Sequence, residues 1–376
     1  MKIGILTFHS QLNYGGVLQC WALQTVLEKM GHEVVVIDRE FEHQIRSVVS
    51  VFKGWGFFRW VKFIVKLLMQ KSEALRTFRY IRTVQFAKKQ LHLTSYSFKE
   101  WSDAPLELGV DLIVVGSDQV WNDVWQNPGV YLLEGTQCIP ALGYAISLGM
   151  TKLPNKDIER YQTAAERFEF ISVREREARE VLSVNGIEAT HVADPVLLVD
   201  WPLHQSLTGR DVFCYFVSPV WTSSESLKSL VSCARTQDCM VHIFTNTPCK
   251  KVKSRYIKYH PSGGPLQFLR AVASAKCVLT DSFHGLMFSY IYDKDVCMLV
   301  DQKGGRREMF SRISEFLDDY VTGDCIAHSL SEGMEKLFDD SRVEYKREKC
   351  SQFIDSSRNY LESCCSSIAL KVNAVR

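Results

Sequence analysis

The sequence has no uninterrupted apolar run approaching the ~18 residues that a membrane-spanning helix requires. Its opening stretch, Met1 to Phe8, is too short in apolar residues for a signal peptide and lacks a small-residue cleavage site, so the expected location is cytoplasmic. Excess charge is missing too. With 45 Lys and Arg against 43 Asp and Glu, the net charge is +2, and no overall field selects nucleic acid as a partner. Twelve cysteines are present without a single Cys-x-x-Cys pair, and only Cys364 and Cys365 are adjacent, which reads as buried thiols in a reducing compartment. No Gly-x-Gly-x-x-Gly follows a strand, and there is neither a Walker-type phosphate loop nor a His-Glu-x-x-His metal helix. Dinucleotide, triphosphate and zinc chemistry are therefore not signalled, and no metal or cofactor is expected.

What is present is the composition of a folded chain: 376 residues, 46% apolar and 23% charged, enough for two domains or three small ones. Apolar runs at Ile3 to Phe8 and Val34 to Ile37 flank a polar loop, His9 to Gly16, and a helix-like stretch from Val17 to Met30. That strand, loop, helix, strand order implies a parallel sheet with a right-handed crossover. Leu112 to Val115, Ile139 to Ile146, Phe170 to Val173 and His191 to Val192 continue the series. A second series comprises Val212 to Val217, Met240 to Thr245, Cys277 to Thr280 and Val296 to Val300, with helices expected at Ser224 to Arg235, Pro265 to Ser274 and Leu286 to Tyr292. The expected architecture is α/β, with two Rossmann-like parallel-sheet domains facing across a cleft. Residues 1–200 would form the first domain, including a basic helical insertion at 53–90, and 201–328 the second. The charged, strand-free stretch 329–376 reads as a helical tail packing on one domain or both.

In open parallel sheets, ligands bind beyond the carboxyl ends of the strands, where helix N-termini present backbone N–H groups. Five loops occupy such positions: His9 to Gly16, containing Asn13, Tyr14 and Gly15; Gly116 to Gln119, containing Ser117 and Asp118; Ser172 to Glu175; Thr245 to Thr247, containing Asn246; and Asp281 to Gly285, containing Ser282. His284 stands where a buried strand gives way to a helix, as either a proton donor to an anionic substrate or a satisfied structural histidine. Arg174, at another strand end, can fork onto a phosphate or carboxylate, or form a surface pair with Glu175 or Glu177. Asp118 can accept a proton from a sugar hydroxyl or cap its turn. Spacing does not choose among these.

The stretch from Lys53 to Lys89 holds ten Lys and Arg against one acid, Glu73, with Trp55, Phe57, Phe58 and Trp60 near its start. Such a helix can rest on the inner face of an anionic membrane or grip a polyanionic glycan; the alternative is a surface helix whose apolar side packs on the sheet.

At these same loops the sequence resembles the polysaccharide pyruvyl transferase family. The resemblance lies in Asn13 to Gln19, Gly116 to Asn122, Tyr144 to Gly149 (with Ser147), Ser172 to Glu175, Asp194 to Leu198, Gly264 to Leu269, Thr280 to Gly285 and Ser311 to Ile313, in the right order over about residues 1 to 320. It implies a glycosyltransferase-B-like fold and transfer of pyruvate from phosphoenolpyruvate to a sugar diol of a surface or capsular polysaccharide precursor, giving a carboxyethylidene ketal and phosphate. His284 matches the family's proposed acid and Arg174 its anion-binding arginine, with Asp118 the second catalytic candidate. Ser282, Gly285, Asn246 and Arg312 are candidates for the donor, and Asn13, Tyr14, Gly15, Ser117, Gln119 and Ser147 for the acceptor or cleft. Some members place Arg-x-His where this chain has Ser282-Phe283-His284, so one cation is missing, and Arg306, Arg307, Arg312 or helix N–H groups stand as replacements. Partners so implied are phosphoenolpyruvate and a sugar acceptor, lipid-linked if the basic stretch meets a membrane. Two competing readings share the architecture: a glycosyltransferase using a nucleotide sugar, and an inactive glycan-binding subunit.

Overall fold

The computed structural model describes residues 1–39, 71–105, 107–123, 127–136, 139–201, 209–247, 249, 252–301, 307–339 and 343–375, with only the backbone given for 71–77, 307–312 and 375. The elements, in chain order, are β1 (Lys2–Leu6), α1 (Tyr14–Lys29), β2 (Glu33–Arg39), α2 (Lys71–Gln90), β3 (Leu93–Phe98), β4 (Leu112–Val115), β5 (Ala141–Ile146), α3 (Ile158–Ala165), β6 (Phe168–Val173), α4 (Arg176–Val184) and β7 (Thr190–His191). The second half holds β8 (Val212–Phe216), α5 (Ser224–Thr236), β9 (Val241–Thr245), β10 (Ile257–Tyr259), α6 (Pro265–Ser274), β11 (Cys277–Thr280), α7 (Phe283–Ile291), β12 (Asp295–Leu299), α8 (Arg307–Tyr320), β13 (Val321–Thr322), β14 (Ile326–Ala327), α9 (Leu330–Phe338), β15 (Glu344–Tyr345) and α10 (Arg347–Val375).

Two parallel sheets result, seven-stranded in the order β3-β2-β1-β4-β5-β6-β7 and six-stranded in the order β10-β9-β8-β11-β12-β14. Both orders reverse direction once, between β1 and β4 and between β8 and β11. At each reversal the loops leaving the two central strands diverge and open a crevice. The central strands are apolar without alternation because helices cover both faces: every residue of Leu112–Val115 and Cys277–Thr280 is buried. One apolar core lies on the outer face of each sheet. A third runs without interruption from Ile3, Val17 and Leu23 of the first half to Phe213, Phe268 and Leu286 of the second.

Several expectations shift. The Asn13 to Gly16 stretch, expected to lie in a loop, is the start of a helix: Asn13 caps α1, its side chain accepting from the Gly15 N–H at 3.0 Å, and Gly15 and Gly16 lie in the first turn. Likewise α7 begins at Phe283, three residues before its expected start. The run expected from Ile139 pairs only from Ala141, since Pro140 has no N–H to give to the ladder. The stretch after 328 is not free of strands: Glu344–Tyr345 pairs antiparallel with Val321–Thr322.

The final helix leaves the second sheet and returns to the first. Near its start, Arg347 reaches the Tyr290 carbonyl at 2.8 Å, while further along Ser357 donates to the Phe353 carbonyl and accepts from the Ala193 N–H at 2.9 Å. Lys371 pairs with Glu169 at 2.5 Å. Of the basic stretch, residues 53–70 lie outside the described residues. Its remainder, α2, turns Arg79 and Tyr80 inward, packs Phe86 and Ala87 on the core, and leaves Lys88 and Lys89 exposed. Among the described residues no helix is long and apolar enough to cross a membrane.

On the flank of the second sheet, His260 stacks flat on Phe244 with ring centroids 4.6 Å apart, and its Nε2 lies 3.0 Å from Nδ1 of His242, which reaches Asp211 at 3.1 Å. Burial, then the neighbouring His242 and Lys258, push the His260 pKa down to about 4. An unfolded histidine titrates near ~6.5, so between that pH and about 4 the unfolded chain binds the extra proton. Stability should therefore fall as pH is lowered through this window. Urea unfolding of His260→Gln should show a shallower loss; an unchanged slope would place the titration elsewhere.

Candidate functional site

The first turn of α1 joins the two halves: Tyr14 reaches the Gly263 carbonyl and Gly15 lies against His284. Within the first crevice, Gln19 links the loops after β1 and β4: its Nε2 donates to Thr7 Oγ1 at 3.0 Å, and its Oε1 accepts from the Ser117 N–H at 3.1 Å. Thr7 donates in turn to the Ser117 carbonyl at 2.7 Å. Thr7 was not singled out from the sequence, and Gln19 showed only as the end of the Asn13 to Gln19 stretch.

At the centre lies Arg174, which follows β6 and is 6% exposed. Its Nη1 donates to Asp194 Oδ2 at 2.7 Å, its Nη2 to Asp118 Oδ1 at 3.2 Å and its Nε to Glu175 Oε1 at 3.2 Å. Burial opposes the charge, but Asp118, Asp194 and Glu175 outweigh it and hold the guanidinium protonated beyond its ordinary range. The surface pair with Glu177 is not what forms. Asp118 both caps its turn, accepting from the Gln119 N–H at 2.9 Å, and pairs with Arg174; its φ of +74° is one that L side chains seldom adopt. Ser147 donates to Glu175 at 2.6 Å and Ser117 to Asp194 at 3.2 Å. Gln119 accepts from Asn122 at 3.1 Å.

From the second domain, α7 delivers His284 against this cluster. Its Nε2 is 3.8 Å from Asp194 Oδ2, and Phe283 lies over the Arg174 guanidinium at 4.7 Å. Asp194, which also caps the turn Pro195–Leu197, is the shared partner of Arg174, Ser117 and His284. In the sequence it showed as the start of the Asp194 to Leu198 stretch of the family resemblance, with no role of its own.

Asn13 and Tyr14 bridge the domains. The Tyr14 hydroxyl donates to the Gly263 carbonyl at 2.8 Å and its ring stacks on Phe268 at 4.7 Å; Asn13 accepts from the Tyr215 hydroxyl at 3.3 Å. Asn246 donates to that same hydroxyl at 2.8 Å. Ser282 precedes α7 without a side-chain capping bond, its backbone N–H donating to Thr280 Oγ1 at 3.1 Å, and a Cβ on Gly285 would come within 2.4 Å of that oxygen, so this glycine is needed for close packing. The arrangement thus gathers His284, Arg174, Asp118, Ser117, Ser147 and Gly15 into one cluster, with Asn13, Tyr14 and Asn246 in a second on the other side of α1. The Arg312 side chain, like Arg306 and Arg307, lies outside the described residues. Among the described residues no group of His, Cys, Asp and Glu is arranged to hold a metal ion.

Gly15 carries a direct test. A Cβ there would stand 2.1 Å from His284 Nδ1, although the helical backbone at this position accepts any L residue. Gly15→Ala should lower the unfolding free energy by about 1–3 kcal/mol, the usual cost of overpacking. In the double variant with His284→Ala most of that loss should disappear, because the ring no longer occupies the space. Strictly additive losses in the cycle would show that the glycine serves something other than the imidazole.

Comparison with known proteins agrees with this geometry. The sequence profile of the polysaccharide pyruvyl transferase family matches residues 13–300. No curated protein matches the chain. Among solved structures, Arabidopsis thaliana UGT89C1 complexed with UDP-L-rhamnose is 10% identical with a TM-score of 0.53, covering 99% of this chain and 98% of its own. A second structure of the same plant protein is 12% identical at 0.52, covering 98% and 99%. Methanocaldococcus jannaschii UDP-GlcNAc 2-epimerase, in complex with UDP-GlcNAc and UDP, is 15% identical at 0.49, covering 92% and 95%. At such identities the likeness to UGT89C1 shows a shared glycosyltransferase-B-type fold and nothing of the donor. The profile match takes in strands of both sheets and every carboxylate of the Arg174 cluster, and the chain belongs to the polysaccharide pyruvyl transferase family, as an enzyme of that class.

Proposed function

We propose that this enzyme takes its pyruvyl group from phosphoenolpyruvate and sets it as a carboxyethylidene ketal across two hydroxyls of a sugar in a surface or capsular polysaccharide precursor, releasing phosphate. The observation that carries the reading is the position of His284, at the start of α7, 3.8 Å from the Asp194 carboxylate and in contact with the first turn of α1. Enol phosphate chemistry begins with a proton delivered to the methylene carbon, and a negative carboxylate beside an imidazole stabilises the charged form that can deliver it.

The steps balance with these residues. His284 gives its proton to the methylene carbon, which becomes the methyl group, and positive charge develops at the neighbouring carbon. One sugar hydroxyl bonds there and loses its proton to a base, for which Asp118 is the candidate. The bond from that carbon to the phosphate oxygen breaks, phosphate leaves with the proton held by that base, and the second hydroxyl closes the ketal as its own proton restores the His284 imidazolium. Arg174 would serve by fixing Asp118 and Asp194 relative to the imidazole, since its three hydrogen bonds all end on carboxylates. A helix start suits an anionic donor, and Ser282 and Gly285 bracket the buried start of α7. A lipid-linked acceptor would be met by residues 53–70, outside the described residues. The described part of the basic stretch directs Arg79 and Arg82 toward the second domain, so the reading rests on sugar recognition.

Phosphate release from phosphoenolpyruvate should depend on a sugar diol, and phosphoenolpyruvate should raise the thermal midpoint where uridine and guanosine diphosphates do not. Stabilisation by the nucleotides alone would favour glycosyl transfer. Sugar binding without phosphate release under any acceptor would mark an inactive subunit. His284→Ala should unfold cooperatively yet turn over about 100-fold to 10,000-fold more slowly, the usual worth of a general acid; near-normal release would remove His284 from the mechanism.

A further inference from the structure

Only Asp281 and Ser282 stand between the end of β11 and the start of α7, the helix that carries His284 in its first turn. Ser282 gives this helix no side-chain cap, so its start is held by other means. Asp281 is buried, and its carboxylate reaches out of its own turn: Oδ1 accepts from the Val217 N–H and Oδ2 from the Ser218 N–H, at 2.7 Å each. Both donors directly follow β8. Thr280 makes the same crossing. Its hydroxyl donates to the Tyr215 carbonyl at 2.6 Å and accepts from the Ser282 N–H at 3.1 Å, while Gly285 of α7 packs closely on that oxygen.

An aspartate that only shapes a turn bonds backbone N–H groups a few residues away. The two donors to Asp281 are 64 and 63 positions away in the chain. Bonds from N–H groups to a carboxylate are short and strong, and a buried carboxylate that lost them would bear its full desolvation cost, so this tie resists displacement. The same strand end also fixes the other side of the imidazole. The Tyr215 hydroxyl donates to Asn13 Oδ1 at 3.3 Å, and Asn13 caps α1 by accepting from the Gly15 N–H. Gly15 is the residue against which the His284 ring lies. Tyr215 to Ser218 are therefore the common reference for two helix starts that meet at the imidazole, α1 through Asn13 and α7 through Thr280 and Asp281.

We propose that Asp281 is a positioning residue for His284: its carboxylate, by clamping the start of α7 to the end of β8, sets where the proton donor stands relative to Asp194 and to the first turn of α1. The proposal rests on His284 being the acid of pyruvyl transfer. Asp281 acts through the imidazole and takes no proton in the reaction.

The test compares wild-type enzyme with Asp281→Asn, which keeps the shape and one acceptor but turns an amide NH₂ group toward the second donor. Asp281→Ser, a smaller change, takes its place should the amide prevent folding. With phosphoenolpyruvate and a sugar diol, kcat should fall about 10-fold to 100-fold, as a displacement of up to ~1 Å costs a positioned group. KM for phosphoenolpyruvate should stay within about twofold of wild type, because the loss falls on the transition state. Urea unfolding then asks where the imidazole stands. Gly15→Ala should destabilise the Asp281 variant less than it destabilises wild type, since a released ring can retreat from the added Cβ. Strictly additive losses in that cycle would overturn the proposal, as would an unchanged kcat in a folded variant. A raised KM with kcat intact would overturn it in favour of a part in substrate binding. A wild-type enzyme that releases no phosphate from phosphoenolpyruvate would overturn the pyruvyl-transfer reading, and the unfolding cycle alone would then decide whether Asp281 places His284.

Discussion

One buried cation holds the site in register. Arg174 gathers three carboxylates that come from different places in the chain: Asp118 after β4, Glu175 at its own strand end, and Asp194 after β7. Without it, three negative charges would be left in a region of low polarity, each needing water or a proton. With it, the loops of three strands acquire fixed relative positions, and the Asp194 carboxylate that results is the one facing His284. The charge balance remains negative, which makes the cluster a holder of cations and protons and a poor receptor for a phosphate on its own. Phe283 of the second domain seals the guanidinium from above, so the electrostatics of the first domain depend on the second being in place.

That dependence is mirrored in the packing. Tyr14 is a first-domain residue lodged in the aromatic core of the second, against Tyr215, Phe244 and Phe268. Aromatic pairs of this kind contribute about 0.5–1.5 kcal/mol each beyond their area. Burial raises the Tyr14 hydroxyl pKa even though Arg79 pulls it down, so the phenol stays neutral as the hydrogen-bond donor to Gly263. The first turn of α1 is thus anchored in one domain, grown from the other, and in contact with the imidazole on its free side. Opposite it, Arg176 of α4 binds Glu315 at 3.1 Å, a polar link between the same two halves.

Sequence and structure agree most closely where strands are central. Ile3, Ile5, Leu112 to Val115 and Cys277 to Thr280 are buried on both faces, so they read as continuous apolar runs. Three of the four edge strands were not legible: Leu93–Phe98 is rich in polar residues, and Ile257–Tyr259 and Ile326–Ala327 are only three and two residues long, whereas the fourth, Thr190–His191, lies one or two residues from its expected place. The loops around His284, Arg174 and Asp118 could be placed because small and polar residues follow buried strands. What could not be read was the use of each group. Glycine signals loops in a sequence, yet Gly15 and Gly285 sit inside helices, where the missing Cβ makes room for His284 and Thr280. Arg79 was one of ten basic residues in a stretch that reads as solvated, and only the tertiary fold distinguishes a guanidinium turned inward from its exposed neighbours Lys88 and Lys89.

The last helix has a mechanical meaning. It runs 29 residues, a rod of ~43 Å at the ~1.5 Å rise of an α-helix, and it begins on the second sheet and ends on the first. The chain therefore passes between the halves twice, once after Trp201 and once along this rod. Two covalent crossings, together with the apolar core that runs from Ile3 and Val17 to Phe213 and Phe268, resist sliding of one half over the other. The His284 imidazole and the Asp194 carboxylate belong to opposite halves, so the 3.8 Å between them is held by those crossings as well as by local packing.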